Sequence, residues 1–172
     1  NYLLKANSGH GKSSILNFIY ACNKNFTGKI IFEGEKHYSI ISLRRRKLAY
    51  VFQDFKLFSK LTLWENIKIK NNLTNFKTDE KILILIDKLG LSQKKDQLVE
   101  TLSLGQKQRV AIIRSLCQPF DFLFLDEPFS HLDERNIEIL SDIINKELED
   151  QNAGCIMTTL NNECLFQYDK IL

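Results

Sequence analysis

Two short stretches of this sequence carry residue types that bind and cleave a nucleoside triphosphate. The first, residues 6–13, reads Ala-Asn-Ser-Gly-His-Gly-Lys-Ser, and the second is the apolar run 122–125, which is followed by Asp126 and Glu127. Glycines let consecutive backbone N–H groups turn inward around phosphate oxygens. Carboxylates at the end of a strand hold a metal ion or accept a proton. Together the two stretches predict nucleotide hydrolysis.

The first stretch fits the phosphate-loop pattern G-x-x-x-x-G-K-[ST], except that Ala6 stands at its first glycine. A predicted strand precedes the loop and a predicted helix follows it, which is the context that the pattern requires. We expect Lys12 to place a charge on the β- and γ-phosphates and Ser13 to offer its hydroxyl to Mg²⁺. The residues expected to contact the nucleotide here are Asn7, Ser8, Gly9, His10, Gly11, Lys12, Ser13 and Ser14.

The second stretch is typical of a strand in a parallel sheet. Residues 120–125 are apolar apart from Asp121, as in strands that are buried on both faces. Parallel strands bring their C-terminal ends to the ligand crevice. We therefore expect Asp126 to hold Mg²⁺ and Glu127 to accept a proton from the attacking water, a step worth about 10²–10⁴ in rate.

The rest of the chain alternates strand and helix patterns, as parallel α/β domains do. The patterns predict strands at 2–5, 29–32, 47–52, 120–125 and 154–158, and helices at 13–21, 79–89 and 134–149. Ser103 is expected to cap a further helix that runs to Leu116. Residues 61–114 are mostly helical in this interpretation, and the last residues begin another strand.

The composition excludes several classes of protein. The 172 residues include 24 Lys and Arg and 21 Asp and Glu, and the net charge of +3 is too small to predict a nucleic-acid partner. No apolar run approaches the roughly 20 residues of a membrane span. None of the cysteines has CxxC spacing, so we expect reduced core thiols and a cytoplasmic protein. The cysteines are Cys22, Cys117, Cys155 and Cys164.

The segment Leu102-Ser103-Leu104-Gly105-Gln106, followed by Lys-Gln-Arg, resembles the L-S-G-G-Q signature of ATP-binding cassette (ABC) transporters. The resemblance covers nearly the whole chain and is nearest to the exporter and lipoprotein-release branch. It implies an α/β P-loop NTPase fold, a RecA-like parallel sheet core with an inserted α-helical signature subdomain at about 61–114. It also implies that 1–172 is a single ABC ATPase domain, truncated at its N-terminus.

Further motifs of the family follow in order. Gln53 stands in the Q-loop, where the family residue contacts Mg²⁺ and the lytic water, and residues 130–133 resemble the D-loop, whose Asp133 lies at the nucleotide. His131 fills a variable D-loop position. Thr159 stands where the family carries its switch histidine, and threonine carries no proton at neutral pH. The resemblance therefore implies retained ATP binding and slow hydrolysis with Thr159 at the catalytic position.

The resemblance also implies partners. Two cassettes pair head to tail, so that each ATP lies between one phosphate loop and Ser103, Gly105 and Gln106 of the other chain. A transmembrane permease holds the pair on the cytoplasmic face of the membrane, and no nucleic acid is expected. Residues that either line the permease groove or pack in the core are Phe55, Leu57, Phe58 and Trp64.

Two alternatives remain open from the sequence. One is a non-transport ABC ATPase that acts in DNA repair or on ribosomes, although residues 12–103 hold no coiled-coil heptads of the chromosome type. The other is a module in which ATP only holds a dimer together, which the missing switch histidine favours. The transported substrate, its direction and the adenine-stacking residue are not written in these 172 residues.

Overall fold

The computed structural model describes residues 1–5, 11–32, 40–159 and 168–171. Its strands are β1 (Tyr2–Lys5), β2 (Leu48–Val51), β3 (Phe122–Asp126), β4 (Gly154–Thr159) and β5 (Lys170–Ile171). They form one parallel sheet in the order β2-β3-β4-β1-β5. The register of β3 and β4 places Asp126 directly opposite Thr158. The C-terminal ends of these two strands therefore present neighbouring polar side chains.

Six helices accompany the sheet in the described part of the chain: α1 (Lys12–Ile19), α2 (Ile40–Arg46), α3 (Leu63–Asn71), α4 (Asp79–Lys88), α5 (Leu104–Leu116) and α6 (Glu134–Gln151). Short 3₁₀ turns occupy Ser92–Lys94 and Val99–Thr101. In four helices the N-cap side chain accepts a backbone N–H of the first turn, which satisfies one of the donors that a helix start leaves free. These caps are Thr62, Thr78, Ser103 and Asp133.

Side chains of β3 alternate between two hydrophobic clusters, one on each face of the sheet. Leu123 and Leu125 belong to the larger cluster, which also contains buried residues of α3, α4, α5 and α6. Phe124 belongs to the smaller cluster, where it meets Leu16 and Tyr20 from the α1 side. Burial on both faces fixes the position of β3 along the strand direction. It therefore also fixes where the carboxylate at the end of β3 lies.

Residues 63–116 contain α3, α4 and α5 with the two 3₁₀ turns and no strand. Their apolar side chains, such as Ile67 and Ile86, share one cluster with Leu123 of the sheet. The predicted helical character of this segment is confirmed. Its division from the core as a subdomain at about 61–114 stays a prediction, because helices and sheet are packed around common side chains.

The parallel sheet and most of the predicted elements are confirmed, with three exceptions. The strand predicted at 29–32 is wrong: residues 29–31 lie outside the five strands, Phe32 makes only an isolated β-bridge, and Ile30 and Ile31 are 46% and 56% exposed. Helix α2 was not predicted, because its basic last turn dominates the local pattern. Cys117 and Cys155 are buried as expected, but Cys22 is exposed because it follows the end of α1. Cys164 lies outside the described residues.

Candidate nucleotide-binding site

The phosphate loop enters α1 at Gly11. This residue has φ of +84°, a left-handed conformation that glycine adopts without strain, and it is the N-cap of the helix. Lys12 is the first helical residue and is only 7% exposed. The helix therefore starts at the lysine, and its positive N-terminal end favours an anion at this point of the chain. The expected contacts Asn7, Ser8, Gly9 and His10, and also Ala6, lie outside the described residues.

Asp126 is the last residue of β3 and is 3% exposed. Its Oδ1 accepts hydrogen bonds from Ser13 Oγ at 3.0 Å and Thr158 Oγ1 at 2.7 Å. Its Oδ2 accepts one from the Tyr50 hydroxyl at 3.3 Å. Burial, and then the neighbouring Asp126, raises the pKa of Tyr50, so this phenol stays protonated and remains a donor. The two motifs predicted from the sequence thus meet at one buried carboxylate.

Glu127 projects from the end of the same strand with its side chain half-buried. Gln53 Nε2 donates to Glu127 Oε2 at 3.4 Å, which brings the Q-loop residue to the expected base. The backbone of Glu127 has φ of +50°, a region that costs a non-glycine residue about 1–3 kcal/mol. Its N–H is held by Thr158, with the carbonyl oxygen and Oγ1 both at 3.2 Å. The strained peptide is therefore clamped by β4.

The signature residues begin α5. Ser103 Oγ accepts from the N–H of Gln106 at 3.3 Å, and Gln106 Oε1 accepts from the N–H of Ser103 at 2.9 Å, which forms a capping box. A Cβ added at Gly105 would lie 2.7 Å from the carbonyl oxygen of His131. The start of α5 therefore packs against the loop after β3 of its own chain, with Ser103 and Leu104 turned outward and exposed.

Asp133 serves locally as the N-cap of α6. Its Oδ1 accepts from the N–H of Asn136 at 2.8 Å, and its carboxylate also accepts from the Asn136 side chain. These hydrogen bonds, the backbone one first, hold the pKa of Asp133 below its usual range. The carboxylate is exposed and ionised. Its expected contact with a nucleotide stays a prediction.

Thr159 ends β4, where it pairs with Lys5 of β1 and is half-buried. It follows Thr158 directly, so its side chain points to the opposite face of the sheet from that of Thr158. The structure thus places Thr159 beside the strand that enters the phosphate loop. Its catalytic role stays a prediction.

The family model described as ABC transporter matches residues 2–130, which is well over half of the chain. The chain belongs to the ABC transporter family. The cassette is an ATP-binding ATPase of the kind that powers transport.

Curated relatives of the cassette include the lipoprotein-releasing system ATP-binding protein LolD 2 of Chlorobaculum tepidum, 30% identical over 96% of this chain and 72% of the relative. The sulfate/thiosulfate import ATP-binding protein CysA of Anthoceros angustus is 37% identical over 96% of this chain. The chain spans only 44% of the length of that importer protein.

Among solved structures, the cassette is similar to MJ0796, described as a dimer in a post-hydrolysis state bound to ADP and Pi. That match has a TM-score of 0.79 and 27% identity and covers 91% of this chain and 73% of that chain. An archaeal ribosome recycling factor matches with a TM-score of 0.72 at 24% identity and 28% coverage of its chain, which shows the fold alone. The predicted P-loop NTPase fold of the cassette is therefore confirmed.

The residues around Asp126 fit a magnesium ion. Mg²⁺ prefers oxygen ligands and is usually held by one or two carboxylates together with substrate phosphates. The Ser13 hydroxyl and the Asp126 carboxylate, whose oxygens are 3.0 Å apart, are oxygen ligands of this kind. In residues 1–5, 11–32, 40–159 and 168–171, no group of three or more His, Cys, Asp or Glu could cage a metal. The donor set thus matches an ion that shares its coordination with a nucleotide.

Thr158, Tyr50 and Gln108 were not predicted from the sequence as site residues, and Ser130 was predicted only as part of the D-loop segment 130–133. Thr158 contacts Asp126 and Glu127 because of the β3–β4 register, and Tyr50 reaches Asp126 from β2. Gln108 and Ser130 both donate to the carbonyl oxygen of Glu127, at 3.1 and 3.3 Å. The available signal was position: Thr158 and Tyr50 each stand near the C-terminal end of a predicted strand, where side chains meet in a parallel sheet.

The aromatic residues near the Q-loop divide between core and surface. Phe55 is buried at 9% exposure and Leu57 packs against the core, whereas Phe58 is 54% exposed. Trp64 is half-buried beneath Lys68 and Lys95. Core packing therefore accounts for Phe55 and Leu57, and Phe58 remains on the surface of the cassette. Helices long and apolar enough to cross a membrane are not found in the described ranges.

Proposed function

We propose that this cassette hydrolyses Mg²⁺–ATP between two paired copies and passes the resulting motion to a membrane permease. The observation that carries the proposal is the 3.0 Å hydrogen bond between Ser13 and Asp126, with Glu127 next in the chain. It joins the start of α1, where an anion is favoured, to the end of β3, where the carboxylates stand.

Each residue has a distinct role in this proposal. Lys12 binds the β- and γ-phosphates, and Ser13 and Asp126 would hold Mg²⁺, which would supply positive charge next to the phosphates. Glu127 takes a proton from the attacking water, whose oxygen bonds to the γ-phosphorus while the bond to the leaving ADP oxygen breaks. Gln53 would orient that water and is the third residue that would hold Mg²⁺. The remaining phosphate contacts come from Asn7, Ser8, Gly9, His10, Gly11 and Ser14.

The second half of the site comes from another cassette. Ser103, Gly105 and Gln106 lie at the N-terminus of α5, whose positive end suits the γ-phosphate of an ATP bound to the opposite chain. Within their own chain these residues contact one another and the loop after β3. Asp133 would meet the nucleotide across the same interface. The related MJ0796 is described as dimeric, which supports the proposed pairing.

In this proposal the permease, and not the cassette, determines which cargo is transported. The named relatives serve chemically unrelated cargo, lipoproteins for LolD and sulfate or thiosulfate for CysA. A transport role, with the cassette peripheral on the cytoplasmic face through its permease, is favoured over a ribosomal one because the ribosome recycling factor shares only the fold. The assignment to the lipoprotein-release-like branch rests on the residues around Gln53 and Trp64.

The decisive test removes the proposed base. We expect Glu127→Gln to keep ATP affinity, abolish turnover and yield an ATP-dependent dimer on size-exclusion chromatography. Lys12→Ala is the matched control. It removes the lysine charge that binds the phosphates, so it should prevent both ATP binding and dimerisation. A Glu127→Gln protein that stays monomeric with saturating Mg²⁺–ATP would contradict the paired site.

A further inference from the structure

Gln108 lies in the second turn of α5 and is only 1% exposed. Its Nε2 donates to the carbonyl oxygen of Glu127 at 3.1 Å. Its Oε1 accepts from the backbone N–H of His131, also at 3.1 Å. Both ends of one buried amide thus bind the two ends of the loop 127–131. A buried amide with both ends satisfied holds its partners more firmly than an exposed one, because breaking either bond leaves an unpaired polar group.

The same loop is pressed against α5 one turn earlier. The absent Cβ of Gly105 would stand 2.7 Å from the His131 carbonyl oxygen, so the two backbones are in direct contact. Arg109 then ties α5 to its other neighbours, with Nη1 2.7 Å from Leu89 O and 3.1 Å from Asn136 Oδ1. The N-terminal half of α5 and the loop 127–131 are therefore packed together as one unit.

Glu127 depends on this unit for its conformation. Its φ of +50° is disfavoured, and its peptide is held on the N–H side by Thr158 and on the carbonyl side by Gln108. Ser130 also donates to that carbonyl, at 3.3 Å, but it is exposed and shared with His131. Gln108 is thus the buried donor that fixes the direction in which the Glu127 side chain leaves the strand.

We propose that Gln108 is a positioning residue that couples the two ATP sites of the paired cassettes. This inference rests on the proposed function, in which α5 binds the ATP of the opposite site while Glu127 serves the site of its own chain. A shift of α5 toward the opposite γ-phosphate moves Gln108, and Gln108 moves the Glu127 peptide. Engagement of the signature at one site thereby sets the base at the other.

The test compares Gln108→Met with Gln108→Glu. Methionine fills a similar volume without hydrogen bonds, and glutamate keeps the oxygen that accepts from His131 while losing the amide donor. We expect kcat to fall about tenfold or more for both variants, because both lose the amide that donates to the Glu127 carbonyl oxygen, with KM for ATP within about twofold of wild type. In the Glu127→Gln background, Gln108→Met should still give the ATP-dependent dimer. Ser115→Ala, which removes a buried hydroxyl on α5 far from the loop, is the control and should keep wild-type kcat.

Several outcomes would overturn the inference. A kcat within about twofold of wild type in Gln108→Met would show that the amide does not position the base. Loss of the ATP-dependent dimer would show that the effect passes through the signature itself. If Gln108→Met unfolds at the assay temperature, Gln108→Glu is judged by the same criteria. Absence of turnover in the wild type, or of a dimer in Glu127→Gln alone, would instead contradict the proposed function.

Discussion

Asp126 and Thr158 face each other across β3 and β4, and the threonine hydroxyl donates a 2.7 Å hydrogen bond to the carboxylate. The same oxygen of Thr158 accepts from the N–H of Glu127 at 3.2 Å. One hydroxyl therefore orients the expected metal ligand and the expected base together. The relation follows from strand register, because a shift of one residue would turn Thr158 to the other face.

Thr158→Val should show how much this hydroxyl contributes. Valine has the same shape, so the core is preserved, while Asp126 loses a buried donor and the Glu127 N–H keeps only the Thr158 carbonyl oxygen. We expect the free energy of unfolding to fall by about 1–3 kcal/mol. Urea denaturation measures the change, and ATP turnover should fall with it.

Thr101→Val is the matched control for that experiment. Thr101 also donates through its hydroxyl, to the Leu98 carbonyl at 2.8 Å, but it is exposed to solvent. Its loss should cost only about 0.5–1.5 kcal/mol, because water replaces the partner. Equal destabilisation by the two substitutions would mean that the buried network around Asp126 is not a special source of stability.

Gly105→Ala should destabilise the cassette, although the same change inside a helix usually stabilises it by about 0.5–1 kcal/mol. The new Cβ would meet the His131 carbonyl oxygen at 2.7 Å, and a backbone atom does not move aside cheaply. Overpacking of this kind costs about 1–3 kcal/mol, so we expect a net loss in urea denaturation. Leu104→Ala, at a 55% exposed neighbouring position, should be close to neutral. A stabilised Gly105→Ala would show that α5 and the loop 127–131 are not in firm contact.

Local chemistry was readable from the sequence, and register was not. Ser103 was correctly predicted to cap α5, because a helix cap depends on residues only three apart in the sequence. The contact between Gln108 and Glu127 joins a helix to a strand end 19 residues away, and no periodicity in the sequence reports it. The strand expected at 29–32 failed for a related reason, since a short apolar run between glycines does not by itself place a segment in the sheet.

Lys70 should make stability depend on pH. Burial first, and then Arg114, Arg44 and Arg45, lowers the pKa of Lys70 from 10.5 to about 8. The folded state therefore binds fewer protons than the unfolded state between pH 8 and 10.5, so this lysine makes stability rise with pH in that window. Below pH 8 the charged lysine is a burden on the folded state.

We expect Lys70→Met to be more stable than the wild type at pH 7, with the gap narrowing as the pH rises from 8 toward 10.5. Urea denaturation at a series of pH values measures the gap. Lys88→Met, at an exposed position of α4, is the control and should give a gap that does not change with pH. A constant gap for Lys70→Met would indicate that Lys70 has the same pKa in both states.

Thr159 offers the last test, because it stands where the family carries a histidine. We expect Thr159→Ala to lower turnover, since it removes a hydroxyl that can bind a γ-phosphate oxygen. Thr159→His should raise the turnover rate. The upper limit of the increase is the factor of about 10²–10⁴ that a positioned proton-transfer group contributes. The histidine variant should also gain a pH dependence near its ordinary pKa of about 6.5, which the wild type lacks at this position. Steady-state phosphate release from pH 5.5 to 8.5 measures both effects, with ATP affinity as the check that binding is intact. Turnover that is the same in Thr159→Ala, Thr159→His and the wild type would show that this position takes no part in hydrolysis.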